Sequence, residues 1–175
     1  MLRRTTSIAI AAVWVIQLAL TAPASAQPPK LIGSYGDWQA LTYEENSKPV
    51  CYVFTEPAKK QGDYTSRGQV YALVTHRPVD KKLNVFTVVA GYTYKEDSDA
   101  ILEVGDQKFT LFTQEGMAWA NDADDPKIVE ALKKGTDMVV HGTSSKGTET
   151  VDTYSLKGFS KAYDAIGAAC AKPSP

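Results

Sequence analysis

Alternating apolar and polar positions run through most of the chain and predict many short β-strands. In VCYVFTE (residues 50–56) and QVYALVTH (residues 69–76), β-branched and aromatic side chains alternate between two faces, as in strands with one buried side. LNVFTVVAGY (residues 83–92) is apolar on both faces, which is typical of a central strand that is covered on both sides. The pattern therefore predicts a mainly β domain made of short antiparallel strands.

Turn residues divide the second half of the chain into hairpins. Gly105 and Asp106 separate ILEV from QKFTLF, and a two-residue Gly-Asp loop is typical of the turns that join twisted antiparallel strands. A second hairpin is predicted where the turn SKG separates TDMVVHGTS from TETVDTYSL. By contrast, QPPKLIGSYG (residues 27–36) reads as a lead-in and PAKKQGDYTSRG (residues 57–68) as a polar loop.

Two segments have the pattern of helices. Asp125 can cap a first helix, Pro126 suits its first position, and Gly135 suits a left-handed residue after its end. A second helix is predicted to start around residues 157–159, because apolar residues then recur at helical spacing: Phe159, Ala162, Tyr163, Ile166 and Cys170. The predicted fold class is an antiparallel sandwich or barrel-like sheet with two short helices, the second at the C-terminus.

The N-terminus has the features of an export signal. Arg3 and Arg4 precede an apolar run over residues 8–20, and Ala24 and Ala26 form an A-x-A cleavage site. We therefore predict a signal peptide over residues 1–26 and a single domain over residues 27–175, located in the periplasm or secreted. The apolar run is shorter than the roughly 20 residues that a membrane span needs, although a membrane anchor stays open as the alternative. No transmembrane segment is expected after cleavage.

Charge and cysteine content narrow the class of protein further. The formal net charge is −1, without the basic footprint of a nucleic-acid binder. The chain has 2 cysteines, Cys51 and Cys170, and no C-x-x-C redox motif. Outside the cytoplasm two thiols can stay oxidised, so we predict a disulfide between them, with free or intermolecular thiols as the alternative.

No motif in the sequence indicates catalysis, a cofactor or a metal. His76 and His141 each lie at the end of a predicted strand, and neither belongs to an H-E-x-x-H or Cys/His cluster. NDADDP (residues 121–126) lacks the glycine of a calcium loop, and GTSSKGT (residues 142–148) lacks the order of a phosphate-binding loop. We predict no catalytic, cofactor or metal residues; a hydrolase with an unrecognised His/Asp site is the weakest alternative.

Aromatic residues give the candidate binding residues. Tyr92, Tyr94 and Trp119 lie in or near consecutive predicted strands, together with Phe109 and Phe112. Such residues either pack in the core or line a ligand pocket. We therefore name Tyr92, Tyr94 and Trp119 as a possible ligand or partner surface. Separately, the alternation of the last predicted strand places Asp152 and Tyr154 on one face.

Several segments of the chain together resemble the invasion-associated locus B family. They are GDWQ (residues 36–39), VTHRP (residues 74–78), VVAGY (residues 88–92) and the terminal block DTYSLKGFSKAYDAIGAAC (residues 152–170). The resemblance implies an exported protein of a Gram-negative bacterium, with no enzymatic activity or cofactor and a link to host-cell invasion and virulence. Many relatives carry a further cysteine where this chain has residues 41–43, and its absence leaves one disulfide.

The expected function is therefore that of an exported, non-enzymatic protein that acts by binding an unknown protein or envelope partner. That binding would serve host-cell interaction or support of the envelope. The alternative is a periplasmic module that binds a small ligand in an aromatic pocket. These alternatives differ in what they require of the fold: a deep cleft beside the named aromatics favours a small ligand, and an exposed apolar surface favours a macromolecular partner.

Overall fold

The alternating segments form strands in the computed structural model, which describes residues 28–171. One antiparallel sheet of 11 strands and two α-helices make up the fold, so the predicted mainly β class is confirmed. The strands are β1 (Lys30–Tyr35), β2 (Trp38–Glu45), β3 (Lys48–Thr55), β4 (Lys59–Gly62), β5 (Tyr71–Arg77), β6 (Lys82–Val89), β7 (Asp99–Val104), β8 (Gln107–Gln114), β9 (Met117–Trp119), β10 (Asp137–Thr143) and β11 (Glu149–Ser155). The helices are α1 (Asp125–Lys134) and α2 (Phe159–Cys170). The predicted signal peptide, residues 1–26, lies outside the described residues.

The sheet is curled, so that its two halves share one core. Its strand order is β1-β2-β3-β5-β6-β9-β8-β7-β10-β11-β4. Hydrogen bonds join β2 to β11, the second strand from each end of this order. The Trp38 indole N–H donates to the Ser155 carbonyl over 2.9 Å, and the Asp37 N–H, just before β2, donates to the Lys157 carbonyl, just after β11, over 3.0 Å. The sheet is therefore barrel-like, with one side facing a common interior.

The interior is filled by every second side chain of the strands. Fully buried residues come from both halves of the sheet, among them Trp38 on β2, Phe86 on β6, Leu102 on β7 and Tyr154 on β11. Because side chains alternate along a strand, their sequence neighbours point to the other side of the sheet. The apolar alternation in the sequence thus sets which side chains form the core.

Two strands occur where the sequence pattern indicated irregular chain. β1 lies in the predicted lead-in and β4 in the predicted polar loop, and they form the two edges of the sheet. β1 contains Gly33 beside a break in register, and β4 is the polar segment KKQG with all of its residues exposed. Edge strands are often short, polar or bulged, which prevents pairing with other chains and also removes the alternation that identifies a strand.

Helix α1 ends differently from the prediction. Pro126 lies in its first turn as expected, but Gly135 has φ −77° and ψ 167°, an extended rather than a left-handed conformation. The Gly135 N–H still donates to the Ala131 carbonyl over 2.9 Å, so the last turn is closed without a left-handed residue. The chain then continues directly into β10.

Helix α2 begins at a glycine that contacts the β1–β2 turn. Gly158 has φ +95°, and a Cβ atom there would lie 1.8 Å from the Tyr35 carbonyl oxygen. From Phe159 onward the predicted apolar face packs on the interior side of β1, β2 and β3, with the Phe159 and Trp38 rings 4.9 Å apart. The terminal sequence block thus closes one end of the curled sheet.

Candidate functional site

A disulfide joins helix α2 to the sheet. Cys51 lies on β3 and Cys170 ends α2; their Cα atoms are 6.0 Å apart and both side chains are buried. The predicted pairing is confirmed. Because both sulfurs are bonded and hidden from solvent, this pair serves the fold and offers no thiol chemistry.

His76 is part of the packing beside this disulfide. It points inward from β5, where its Nδ1 accepts a hydrogen bond from the Asn84 N–H over 3.1 Å, and its ring meets the edge of Tyr163 at 5.2 Å. Burial lowers the pKa of His76. This histidine is therefore a neutral interior residue with one nitrogen already engaged.

His141 lies elsewhere in the sheet. It points outward from β10, and its Nε2 is 3.7 Å from a carboxylate oxygen of Glu103 on the neighbouring strand β7. Four strands separate β5 from β10 in the sheet, and the two histidines lie on opposite sides of it. The structure does not bring them together, so they do not form one site.

Tyr92 and Tyr94 surround a buried ion pair that the sequence did not reveal. Arg67, from the segment between β4 and β5, donates two parallel hydrogen bonds to Asp152 on β11, over 2.7 and 2.6 Å. Its guanidinium carbon lies 4.8 Å from the Tyr92 ring centre, and the Tyr92 and Tyr94 rings are 5.2 Å apart. Side-chain exposure of Arg67 and Asp152 is only 4% and 3%.

Electrostatics in this cluster favour a fixed charge pair among neutral tyrosines. Burial opposes the charge of Arg67, but its hydrogen bonds to Asp152 outweigh that effect and raise the pKa of Arg67. Burial also raises the pKa values of Tyr94 and Tyr154, and the Asp152 charge raises them further. Arg67 therefore keeps its charge beside Asp152 while the phenols stay protonated, which is the arrangement of a structural link between a loop and β11.

A small pocket borders this cluster. It has a volume of about 340 Å³ and is lined by Tyr64, Arg67, Tyr92 and several hydroxyl side chains of the β10–β11 hairpin. Arg67 is one of its lining residues, and its charge is already matched by Asp152. The pocket is therefore polar but offers no unmatched charge from its buried residues.

Trp119 lies apart from the two tyrosines, on the outward side of the sheet. It sits on β9 and stacks on Phe112 of β8, with ring centres 5.6 Å apart and planes 25° apart. Phe112 and Met117 beside it are 46% and 44% exposed. The three aromatics named from the sequence thus divide between an interior cluster and an outer surface.

The outer surface around Trp119 is a groove of about 660 Å³ across β2, β3, β5, β6 and β9. Strand register aligns Phe54, Leu73, Thr87 and Trp119 in one row, because Phe54 pairs with Leu73, Leu73 with Thr87, and Thr87 with Trp119. We call this surface the aromatic face; its principal lining residues are Tyr43, Tyr52, Phe54, Tyr71, Leu73 and Trp119.

Sequence reasoning missed most of the aromatic face. The alternation in residues 50–56 shows that Tyr52 and Phe54 point away from Cys51 and Val53, and this was the available clue. The alternation does not show the order of the strands in the sheet. Because β4 pairs at the far edge, β3 lies directly beside β5. Only that pairing brings Tyr71 next to Phe54, with ring centres 6.4 Å apart.

The structure also answers two simpler questions about the described part of the chain. Among residues 28–171, no group of three or more His, Cys, Asp or Glu side chains is placed to hold a metal ion. Neither helix in that range is long and apolar enough to cross a membrane.

Comparison with known protein families identifies the chain's relatives. Residues 38–167 match the sequence profile described as "Invasion associated locus B (IalB) protein". The chain belongs to the invasion associated locus B family. The matched range begins at Trp38, where β2 starts, and ends inside α2, so it includes every strand of the aromatic face and the buried ion pair. Comparisons with curated proteins and with solved structures gave no match.

Proposed function

We propose that this protein is an exported, non-enzymatic domain that binds a protein partner, in the bacterial envelope or on a host-cell surface, through its aromatic face. The observation that carries the proposal is the groove of about 660 Å³ on the outward side of the sheet. Outward positions of an exposed antiparallel sheet are usually polar, whereas here they hold tyrosine, phenylalanine, leucine and tryptophan. These side chains are half-buried, and a groove lined by aromatic and apolar side chains with a few polar groups is the usual form of a binding site.

Three further features support this proposal. The disulfide between Cys51 and Cys170 suits an oxidising compartment, in agreement with export. Family membership supports an invasion-associated type of protein. Tyrosine and tryptophan are also the residues that most often dominate protein–protein interfaces, because they bury large area with few rotatable bonds.

Affinity capture with matched variants tests the proposal. The oxidised domain, a Phe54→Ser/Trp119→Ser double variant and a Leu83→Ser variant are immobilised, then exposed to envelope extract and to host-cell surface proteins. Leu83 is a suitable control because it is 52% exposed but does not line the groove. We expect the same partner to be recovered by the unchanged domain and by Leu83→Ser, and to be lost with the double variant.

Two results would contradict the proposal. Recovery of a partner in equal amounts by all three proteins would show that the partner binds outside the aromatic face. Failure to recover any specific partner from either source would remove the case for a protein-binding function. Circular dichroism of the three proteins, with intact disulfides, checks that each is folded.

A further inference from the structure

Four rings of the aromatic face follow a diagonal across three strands. Tyr43 on β2, Tyr52 and Phe54 on β3, and Tyr71 on β5 succeed one another with ring centres 6.0, 6.4 and 6.4 Å apart. We call these four residues the aromatic diagonal. Its first and last pairs meet edge to face, at 73° and 81°, so each pair leaves a notch between two rings rather than one flat platform.

We propose that the aromatic diagonal binds an extended, proline-rich protein segment in the polyproline II conformation. This inference rests on the proposed function, since it names the chemistry of the partner for the same face. A polyproline II helix rises about 3.1 Å per residue, so each step between neighbouring rings matches about two residues. The whole diagonal thus matches about six residues of such a segment.

Hydrogen-bonding chemistry of the groove fits the same occupant. A polyproline II segment has no internal hydrogen bonds, and its prolines lack an N–H, so it presents carbonyl acceptors and few donors. The groove supplies donor groups: the phenols of Tyr43, Tyr52 and Tyr71, the Trp119 indole, and the side chains of Gln69 and Arg77. Aromatic notches and donors together are the features by which other grooves recognise proline-rich segments.

Charge at the two ends of the diagonal gives the segment a direction. Arg77 lies at the Tyr43 end, where its guanidinium donates to the Tyr43 hydroxyl over 3.3 Å. Glu56 is exposed at the Tyr71 end, because it follows Thr55, which pairs with Ala72. At the Tyr43 end the Arg77 charge is already matched by Glu45, over 3.3 Å. The exposed Glu56 makes the Tyr71 end the acidic one, so a basic residue of the segment fits over Tyr71 and Glu56.

Size argues against a second copy of this chain as the occupant. The groove crosses five strands and follows about seven residues of β5, which is about 20 Å in each direction. That corresponds to roughly 400 Å², about half of the area that each partner usually buries in a stable protein interface. An amphipathic helix also fits less well, because its backbone carbonyls are already hydrogen-bonded within the helix and would not accept from the donor groups of the groove.

Isothermal titration with two synthetic peptides tests the inference. The first is a peptide of about nine residues with proline at two of every three positions and one terminal arginine. The second peptide has alanine in place of each proline and keeps the arginine. Comparing the two peptides separates the contribution of the arginine charge to affinity from that of the polyproline II conformation. We expect the proline peptide to bind about tenfold more tightly, because less conformational freedom is lost on binding.

Variants locate the binding on the diagonal. Tyr52→Ala and Tyr71→Ala are each expected to lower the affinity for the proline peptide by about tenfold or more, as for central aromatic residues of an interface. Leu83→Ser, outside the groove, should leave its affinity unchanged. Glu56→Gln should weaken the arginine-bearing peptide a few-fold, as expected for one exposed ion pair.

The outcomes separate this inference from the proposed function. Equal affinity for both peptides, or proline-peptide binding that survives both tyrosine variants, overturns the inference. So does concentration-dependent dimerisation in sedimentation experiments that Tyr52→Ala abolishes, because a second copy then occupies the face. Another outcome is that neither peptide binds while capture of a partner still depends on Phe54 and Trp119. In that case the inference of a proline-rich segment is wrong, and the proposed binding function stands.

Discussion

At the scale of single residues, the ion pair between Arg67 and Asp152 places two charges where solvent hardly reaches them. Two parallel hydrogen bonds, the Tyr92 ring and the Ala90 carbonyl, which accepts from Arg67 Nε over 2.6 Å, surround the guanidinium. Taking charges out of water is expensive, and their mutual attraction offsets it only while both partners are present. The pair therefore fixes the segment between β4 and β5 against β11.

Asp152→Asn should destabilise the domain by about 3–5 kcal/mol, because it leaves the Arg67 charge buried without its carboxylate. Urea denaturation followed by tryptophan fluorescence measures the change. Glu130→Gln is the control, since Glu130 pairs with Lys133 on the exposed surface of α1 and such pairs contribute about 0.5 kcal/mol or less. Similar small effects for both substitutions would show that the buried pair has no special role.

Gly158 is the second residue on which local geometry depends. Gly158→Ala should destabilise the domain by about 3 kcal/mol or more, because a Cβ at φ +95° is strained and lies 1.8 Å from the Tyr35 carbonyl oxygen. Gly167→Ala in the same helix is the matched control: no atom lies within 4 Å of its Cβ, and alanine favours helix by about 0.5–1 kcal/mol. Thermal unfolding of both variants should give shifts of opposite sign.

At the scale of elements, helix α1 covers a gap between strands of the sheet. β9 has 3 residues and reaches only the end of β6, at residues 87–89, so the middle of β6 has no strand on that side. There the buried Asp125 carboxylate accepts the Phe86 N–H over 2.9 Å. The acidic residue predicted to cap the helix instead satisfies a strand, and Asp124 is the residue before the helix.

This contact predicts a dependence of stability on pH. Burial raises the pKa of Asp125 from 3.8 to about 6, so the folded state holds its proton more tightly than the unfolded chain does. The free energy of unfolding should therefore fall, on the order of 2 kcal/mol, as pH rises from about 4 to about 6. Asp125→Asn, which can still accept from Phe86, should remove this contribution.

Urea denaturation at several pH values across that window measures the effect. The difference in stability between Asp125→Asn and the unchanged domain should grow with pH up to about 6 and then stay constant. Asp106→Asn is a control, because Asp106 is exposed in the turn between β7 and β8. A difference that does not vary with pH would contradict the assignment of a raised pKa to Asp125.

At the scale of the whole molecule, the disulfide joins residues 119 positions apart in sequence. It connects the last helix to a strand near the start of the sheet, where Phe159, Ala162 and Ile166 already bury one side of that helix. Removing it by Cys51→Ser/Cys170→Ser should destabilise the domain by roughly 4–5 kcal/mol in the chain-entropy description of cross-links. The apolar face of α2 should still allow the variant to fold.

Comparison of oxidised, reduced and double-serine proteins by chemical denaturation tests this prediction. Mass analysis of the native protein without reductant should show that neither cysteine reacts with an alkylating reagent. Two freely alkylated thiols in native protein would contradict the disulfide, and equal stability of the oxidised and double-serine forms would contradict its energetic role.

Several features followed from the sequence alone: the apolar residues that fill the interior, the positions of most strands, the start of α2 and the pairing of the cysteines. These features depend on local alternation, on turn chemistry at Gly105 and Asp106, and on a count of two cysteines, all of which can be read along the chain. The sequence pattern did not identify the edge strands β1 and β4, because strands at the edge of a sheet do not need alternating apolar residues.

Contacts between residues far apart in sequence depend on the tertiary structure. Arg67 looks like one more charge in a polar loop until the curled sheet brings it to Asp152. Tyr52, Phe54 and Tyr71 become one surface only because β3 pairs with β5, whereas the histidines stay on opposite sides of the sheet. Strand alternation records the side to which a residue points, but not the strand that lies beside it, and the binding surface depends on the second of these.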